Sequence, residues 1–164
     1  MHRHPVYVIC NNIRSLYNVG AIFRTSDAAN IEKICLCGIT GYPKENDPTW
    51  FQTAKIEKTA LGANKTVLWK YYQTTEEAIT ELKKTGIKIY ALENTDTAAD
   101  YKNFNYQFPC ALVLGHEVNG ISQNILDLTD GVIKLPMYGT KTSLNVEAAY
   151  AIAIYEMIDH YKKT

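Results

Sequence analysis

The chain has 164 residues, with 46% hydrophobic and 21% charged positions, values ordinary for a globular protein with a sizeable core. Its 17 basic and 17 acidic residues cancel, which argues against nonspecific nucleic-acid binding as the main activity. No apolar run approaches the roughly 20 residues of a membrane span, and no cleavable leader pattern stands at the N-terminus, so a cytoplasmic address is expected.

In chain order, Pro5–Cys10 reads as a β-branched, apolar first strand. Leu16–Ala29 reads as a helix, with Val19, Ile22 and Phe23 at helical spacing and Asn30 where a left-handed residue would end it. Lys33–Cys37 is a second strand. The turn-rich segment Gly38–Pro48 is expected as a loop, followed by a short helix within Trp50–Gly62 and a strand at Thr66–Trp69. Thr74–Thr85 is an amphipathic helix: Thr74 or Thr75 can cap it, Glu76 and Glu77 suit its first turn, and Gly86 closes it. Ile87–Leu92 and Cys110–Leu114 are short apolar runs suited to buried parallel strands. Ser122–Leu128 is a short helix, Gly131–Leu135 a last strand, and Leu144–Lys162 a long terminal helix capped by Ser143. The alternation predicts an α/β fold with a mostly parallel sheet in a single domain, residues 1–164.

The four cysteines, Cys10, Cys35, Cys37 and Cys110, sit in apolar segments. Cys35 and Cys37 would share one strand face. With no second pair at zinc spacing they read as buried thiols acting as small hydrophobes, not as a metal or redox site. Charge is uneven along the chain: residues 1–70 carry nine basic and five acidic groups, and the remainder eight and twelve.

Three segments have compositions that packing alone does not explain. In the first, Asn11–Thr25, a polar loop at the end of strand one enters a helix carrying Gly20 and Arg24. Ligands of open α/β sheets gather at that strand end. A mid-helix glycine costs about 1 kcal/mol relative to alanine, so Gly20 implies close approach by another group. In the second segment a buried strand ends in Leu114-Gly115-His116-Glu117-Val118-Asn119-Gly120, where glycines let backbone approach a ligand. In the third, a strand leads through Leu135-Pro136-Met137-Tyr138-Gly139 to Ser143-Leu144-Asn145-Val146 at the start of the last helix. Asn145 is a poor helix former, better explained by a side-chain hydrogen bond.

Together these segments resemble the three motifs of the SpoU (TrmH-like) family in the SPOUT methyltransferase superfamily. The family forms are N-x-G-A-x-x-R-T, L-G-[NS]-E-x-x-G and I-P-M-x-G-x-x-x-S-L-N-V. Here they are matched by Asn18–Thr25, Leu114–Gly120 and Leu135–Val146, in order and at the family spacing. Three departures stand out: His116 replaces the usual asparagine or serine, Asn30 stands where glycine is common, and Glu147 where a small residue is frequent.

The resemblance implies a C-terminal trefoil knot, S-adenosylmethionine held in a bent form by the knot loops, and a homodimer paired through helices that include the last. That helix offers an apolar stripe of Val146, Ala149, Tyr150, Ala153, Ile154, Met157 and Ile158 for core or partner. Cofactor contacts carried over by motif are Leu114, Gly115, Leu135, Met137 and Leu144, with Leu92 and Glu93 lining the same pocket. The implied reaction is methyl transfer to a ribose 2′-hydroxyl of tRNA or rRNA, without metal or membrane. Arg24 would bind phosphate and stabilise alkoxide character, since a guanidinium stays protonated; general-base action is the alternative. Ser143 and Asn145 would position the reacting groups, Glu117 would orient the loop or Arg24, and Asn18 would organise the loop near the ribose. Arg14, Lys55, Lys58, Lys65 and Lys70, with Trp69, are expected on the RNA surface. With no appended RNA-recognition domain, selection would fall to the dimer surface or the RNA's shape. Two other classes are weighed against this. A noncatalytic RNA-binding relative keeping the knot is disfavoured by the intact Arg24, Glu117, Ser143 and Asn145. A dinucleotide oxidoreductase lacks the Gly-x-Gly-x-x-Gly turn after the first strand.

Overall fold

A computed structural model describes residues 2–44, 46–47 and 50–164. Of the loop expected at Gly38–Pro48, Glu45 and Pro48 lie outside the described residues. Seven parallel strands form one sheet: β1 (His4–Asn11), β2 (Ile31–Cys37), β3 (Trp69–Tyr72), β4 (Lys88–Leu92), β5 (Ala99–Asp100), β6 (Cys110–Leu114) and β7 (Gly131–Lys134). Their order is β3-β2-β1-β6-β4-β7-β5, and every neighbouring pair is parallel.

Side chains of a strand alternate between sheet faces, and the core divides accordingly. Val8, Cys10, Ile34 and Leu36 face α1 (Leu16–Ala28) and α5 (Val146–Lys163), meeting Ile22, Phe23, Tyr150 and Ile154. Ile9, Cys35, Cys37 and Val113 face α3 (Thr75–Lys84) and the short α4 (Gln123–Leu126), meeting Ala78, Ile79 and Ile125. All four cysteines are free and buried, as read from the sequence. Burial pushes the Cys35 and Cys110 thiols up to about 12, so they stay protonated and act as small hydrophobes.

Local chemistry sets the element ends. Ser15 caps α1, its Oγ accepting from Asn18 N at 3.2 Å, and Asn30 after the helix adopts the left-handed φ of 51°. Thr74 caps α3 by accepting from Glu77 N. Two expectations shift, and one strand goes unforeseen. The strand placed at Thr66–Trp69 begins only at Trp69, because Ala63–Lys65 form a 3-10 turn and the aromatic residues pair onward to Tyr72. The last helix begins at Val146 and is capped by Asn145, not Ser143: Asn145 Oδ1 accepts from Glu147 N and Ala148 N. The two-residue strand β5 had no signature in the sequence.

Helix α2 (Phe51–Ala60) packs across α1 at Gly20. A Cβ there would collide with the Thr59 hydroxyl and the Ile56 carbonyl oxygen, so the glycine is what lets the helices approach. Beyond β7 the chain passes the loops that follow β4 and β6, with Asn94 Nδ2 donating to Thr142 O at 3.1 Å, before α5 packs against α1. This path is compatible with the threaded C-terminal part that the resemblance implies.

The close approach makes Gly20→Ala informative. Helix propensity alone would favour alanine by about 1 kcal/mol. The backbone oxygen of Ile56 cannot yield as a flexible side-chain tip could, so overpacking wins at roughly 1–3 kcal/mol. Chemical denaturation should give a net loss of stability, and an unchanged or raised midpoint would contradict the assignment.

Candidate active site

The carboxyl ends of β4, β6 and β7 and the segment before α5 enclose a cavity of about 440 Å³. Leu92 and Glu93 come from the β4 end, Leu114 and Gly115 from β6, and Leu135 and Met137 from beyond β7. Leu144 closes the wall beside Ser143 and Asn145. Every residue assigned to the cofactor from the sequence therefore lines one space. Asn94, Lys134, Thr142 and Val146 line it too and were missed; they lie beside the motifs and carry no pattern of their own.

The wall between β6 and α4 is a tight turn. His116 and Gly120 bond through their backbones, at 3.2 Å and 2.9 Å, and Gly120 takes a φ of 65°. A Cβ on Gly115 would come within 2.8 Å of the Gly120 carbonyl carbon, so glycine is needed there. His116 Nδ1 accepts from Val118 N and Asn119 N, both at 3.1 Å. Asparagine or serine would offer a side-chain oxygen for such a turn, and the unprotonated ring nitrogen supplies the same lone pair. Glu93 fixes the turn's far end, Oε2 accepting from Ile121 N at 2.9 Å.

Glu117 joins this turn to the first segment. Its Oε2 accepts from Arg14 N at 2.9 Å; its Oε1 accepts from Ser15 N at 2.9 Å and Asn18 Nδ2 at 3.2 Å. Asn18 Oδ1 in turn accepts from Asn145 Nδ2 at 3.2 Å. Burial by itself pushes the Glu117 carboxyl up, but the backbone N–H groups of Arg14, Ser15 and Glu117 itself, with the Asn18 amide, outweigh it. The net result is a pKa below the ordinary value. Of the two roles expected for Glu117, it orients the loop; no hydrogen bond or ion pair joins it to Arg24 among the described residues. Ser143 lies on the cavity wall without capping the helix.

Residues 5–155 match the SpoU rRNA Methylase family. The chain belongs to that family. Among relatives, the tRNA (guanosine(18)-2'-O)-methyltransferase of Escherichia coli is 32% identical over 155 residues, 94% of this chain. The chain spans 63% of that relative's length. The enzyme of the same name from Thermus thermophilus is 33% identical over 149 residues, covering 91% of this chain and 72% of its own. An AdoMet-bound rRNA methyltransferase from Sinorhizobium meliloti superposes with a TM-score of 0.84 at 25% identity, over 97% of this chain and 57% of that one.

Set on the SpoU fold, the remaining motif residues separate. Arg24 is exposed on α1, does not line the cavity, and has no hydrogen bond or ion pair among the described residues. Its neighbour Thr25 donates to Glu147 Oε1 at 2.6 Å, which gives the unusual glutamate a role in joining α1 to α5. Arg14, Lys55, Lys58, Lys65 and Lys70 are all exposed. Lys65 pairs with Glu57 at 3.6 Å and Lys70 with Glu81 at 2.6 Å, leaving Arg14, Lys55 and Lys58 as the cations without a carboxylate partner among the five. Trp69 is a correction. It is half-buried, edge-on to Phe23 and tilted against Tyr42, because β3 turns the indole onto α1. Among the described residues, no three His, Cys, Asp or Glu side chains converge as a metal-holding group. No described helix is long and apolar enough to cross a membrane.

The lowered Glu117 pKa sets a pH dependence. A depressed carboxylate contributes stability above its unfolded value, about 4.3, and loses it as pH falls through the lower folded value. Glu117→Gln should cost about 1 kcal/mol at neutral pH, discounted for partial exposure. The melting-temperature gap from the parent chain should close as pH falls below about 4. A gap that stays constant across that range would show that the charge is not what holds the loop.

Proposed function

We propose that this chain is a single methyltransferase domain that transfers a methyl group from S-adenosylmethionine to a ribose 2′-hydroxyl of tRNA or rRNA. The observation that carries the reading is convergence. The second and third segments line one cavity, and the first, about a hundred residues earlier in the chain, is tied to them where Asn18 bonds both Glu117 and Asn145 of that lining. The relatives named as tRNA 2′-O-methyltransferases, and the AdoMet-bound neighbour, support the same chemistry.

The donor set fits the cofactor. The apolar walls of Leu92, Leu114, Leu135, Met137 and Leu144 suit an adenine ring, and Gly115 lets the 116–120 turn close beside them. Each Glu93 oxygen is engaged by a loop amide yet keeps lone-pair capacity for a ribose hydroxyl. When bound, S-adenosylmethionine supplies an electrophilic methyl on its sulfonium. Asn145 lines the cavity with its amide held by Asn18, and Ser143 adds a hydroxyl on the wall. Such positioning can lower a barrier by several kcal/mol. Arg24, without a hydrogen-bond or ion-pair partner among the described residues, binds a substrate phosphate and stabilises charge developing on the ribose oxygen.

We place the enzyme in the cytoplasm as a homodimer. The sequence had offered Ile154 and Met157 for the partner, but both are fully enclosed against the chain's own sheet. The exposed apolar residues of α5 are instead Ile152 and Tyr155, and Tyr17 is exposed on neighbouring α1. Ile152→Glu should yield folded monomer by light scattering, whereas a charge at Ile154 should unfold the chain. A dimer unaffected by Ile152→Glu and Tyr155→Glu would remove this surface.

The chemistry is tested at Arg24. Because it stands apart from the cavity, Arg24→Ala should leave S-adenosylmethionine affinity intact while single-turnover transfer falls on the order of 100-fold or more. Arg24→Lys keeps the charge but loses the planar fork and should rescue poorly. Normal transfer by the alanine variant would refute the role, and calorimetry showing no cofactor binding would refute the reading itself.

A further inference from the structure

A second cavity, of about 300 Å³, lies across the 116–120 turn from the first. It opens over the carboxyl ends of β1, β2 and β3 and shares only His116 and Gly120 with the first cavity. Asn11 at its floor is 5% exposed, and its Oδ1 accepts from Thr75 Oγ1 at 2.6 Å. The other side of that amide, Nδ2, donates to no described group. The fully enclosed unpartnered atoms belong to Asn64 and Thr95, so Asn11 Nδ2 reaches accessible space, and the space it borders is this cavity.

Next to it is the N-terminus of α3. Thr74 satisfies the Glu77 amide, while the Thr75 and Glu76 amides have no acceptor among the described residues. A nearly buried amide and two helix-end N–H groups thus offer donors to one oxygen-bearing edge. The Glu76 carboxylate, on the same first turn, is the only acidic side chain on the wall, and no lysine or arginine lines the cavity. A phosphate there would face a carboxylate with no cation to offset it. The ligand that fits is neutral, carrying a carbonyl oxygen beside N–H donors. Guanine matches: O6 accepts, while N1–H and N2–H can both point to one carboxylate. Unstacked RNA bases are read by such edge contacts.

We propose that this second cavity binds a guanine base of the RNA substrate, which rests on the methyltransferase reading for the identity of that RNA. Asn11 Nδ2 and the α3 amides take the carbonyl oxygen, and Glu76 takes the two N–H groups. The base so held fixes the RNA beside the cavity that receives the cofactor.

Guanosine, adenosine and inorganic phosphate are titrated calorimetrically into the protein, both alone and saturated with S-adenosylhomocysteine. Guanosine should bind in both forms; in the saturated protein, where the first cavity is filled, adenosine should bind about tenfold or more weakly, and phosphate should not compete with guanosine. Glu76→Gln removes the carboxylate at an exposed position, and Asn11→Asp replaces the free donor while keeping an acceptor for Thr75. Each should weaken guanosine by about tenfold or more and leave S-adenosylhomocysteine affinity unchanged. Absent guanosine binding, displacement of guanosine by phosphate, or full affinity in the folded Glu76→Gln protein would overturn the proposal. Nucleoside binding requires no methyl transfer, so failure of the catalytic reading appears separately, as lost cofactor binding or lost transfer.

Discussion

The Glu117 carboxylate is bound by three donors that precede it by 99 to 103 residues. Two are backbone amides at the entrance to α1, and the third is the Asn18 side chain. Hydrogen bonds to a charged group contribute roughly 1.5–3 kcal/mol each when shielded and less when half-exposed. Their larger effect is positional. Fixing Arg14 and Ser15 fixes the cap of α1; that places Asn18, whose oxygen receives the amide of Asn145; and Asn145 is itself the cap of α5. One acidic side chain thus sets the starting points of both helices that flank the cavity. A glutamine of the same shape would turn its amide NH2 group toward one of these N–H donors, losing an acceptor as well as the charge assistance that offsets desolvation.

Elements held by local rules were legible in the sequence. The Thr74 cap, the left-handed Asn30 and the apolar strand runs all follow from short-range chemistry, and each lies within a residue or two of its expected place. What was not legible depended on distant partners. Trp69–Tyr72 becomes a strand because Cys37 pairs with Tyr72 and Ile34 with Trp69, which no window around Trp69 contains. The β5 strand is two residues held by β7 alone. Ser143 and Asn145 are both good caps by type. The choice fell to Asn145 because its amide also reaches Asn18, an interaction 127 residues long.

The site divides the same way. Motif order brought Leu92 through Leu144 to one wall because parallel strands end on one edge of the sheet, a consequence of topology that the α/β alternation already implied. The surface residues were harder to read. A lysine in the sequence gives no sign of whether a carboxylate stands beside it, and Glu57 and Glu81 take Lys65 and Lys70. Helical spacing marked Ile154 and Met157 as apolar but could not say which apolar stripe meets the sheet. The Asn11–Thr75 bond joins residues 64 apart, so although Asn11 and the 116–120 turn lie in segments the sequence singled out, their meeting with the first turn of α3 in a second cavity was not legible.

The departure at His116 shows what the turn between the two cavities requires. A loop that serves as a shared wall must hold its shape with either cavity filled or empty. Here that shape comes from the chain's own atoms: His116 Nδ1 takes two amides, Gly120 closes on His116, and Glu93 and Glu117 anchor the turn from opposite sides. None of these bonds uses a ligand atom. The conformational entropy of ordering the wall is therefore lost on folding, not on binding, and a ligand on either side meets a preformed surface. The identity of residue 116 matters less than the position of its lone pair. An imidazole can stand where an amide or hydroxyl oxygen is usual because the constraint is an acceptor aimed at two backbone N–H groups. That same constraint requires the ring to keep Nδ1 unprotonated, a condition an asparagine or serine oxygen does not impose.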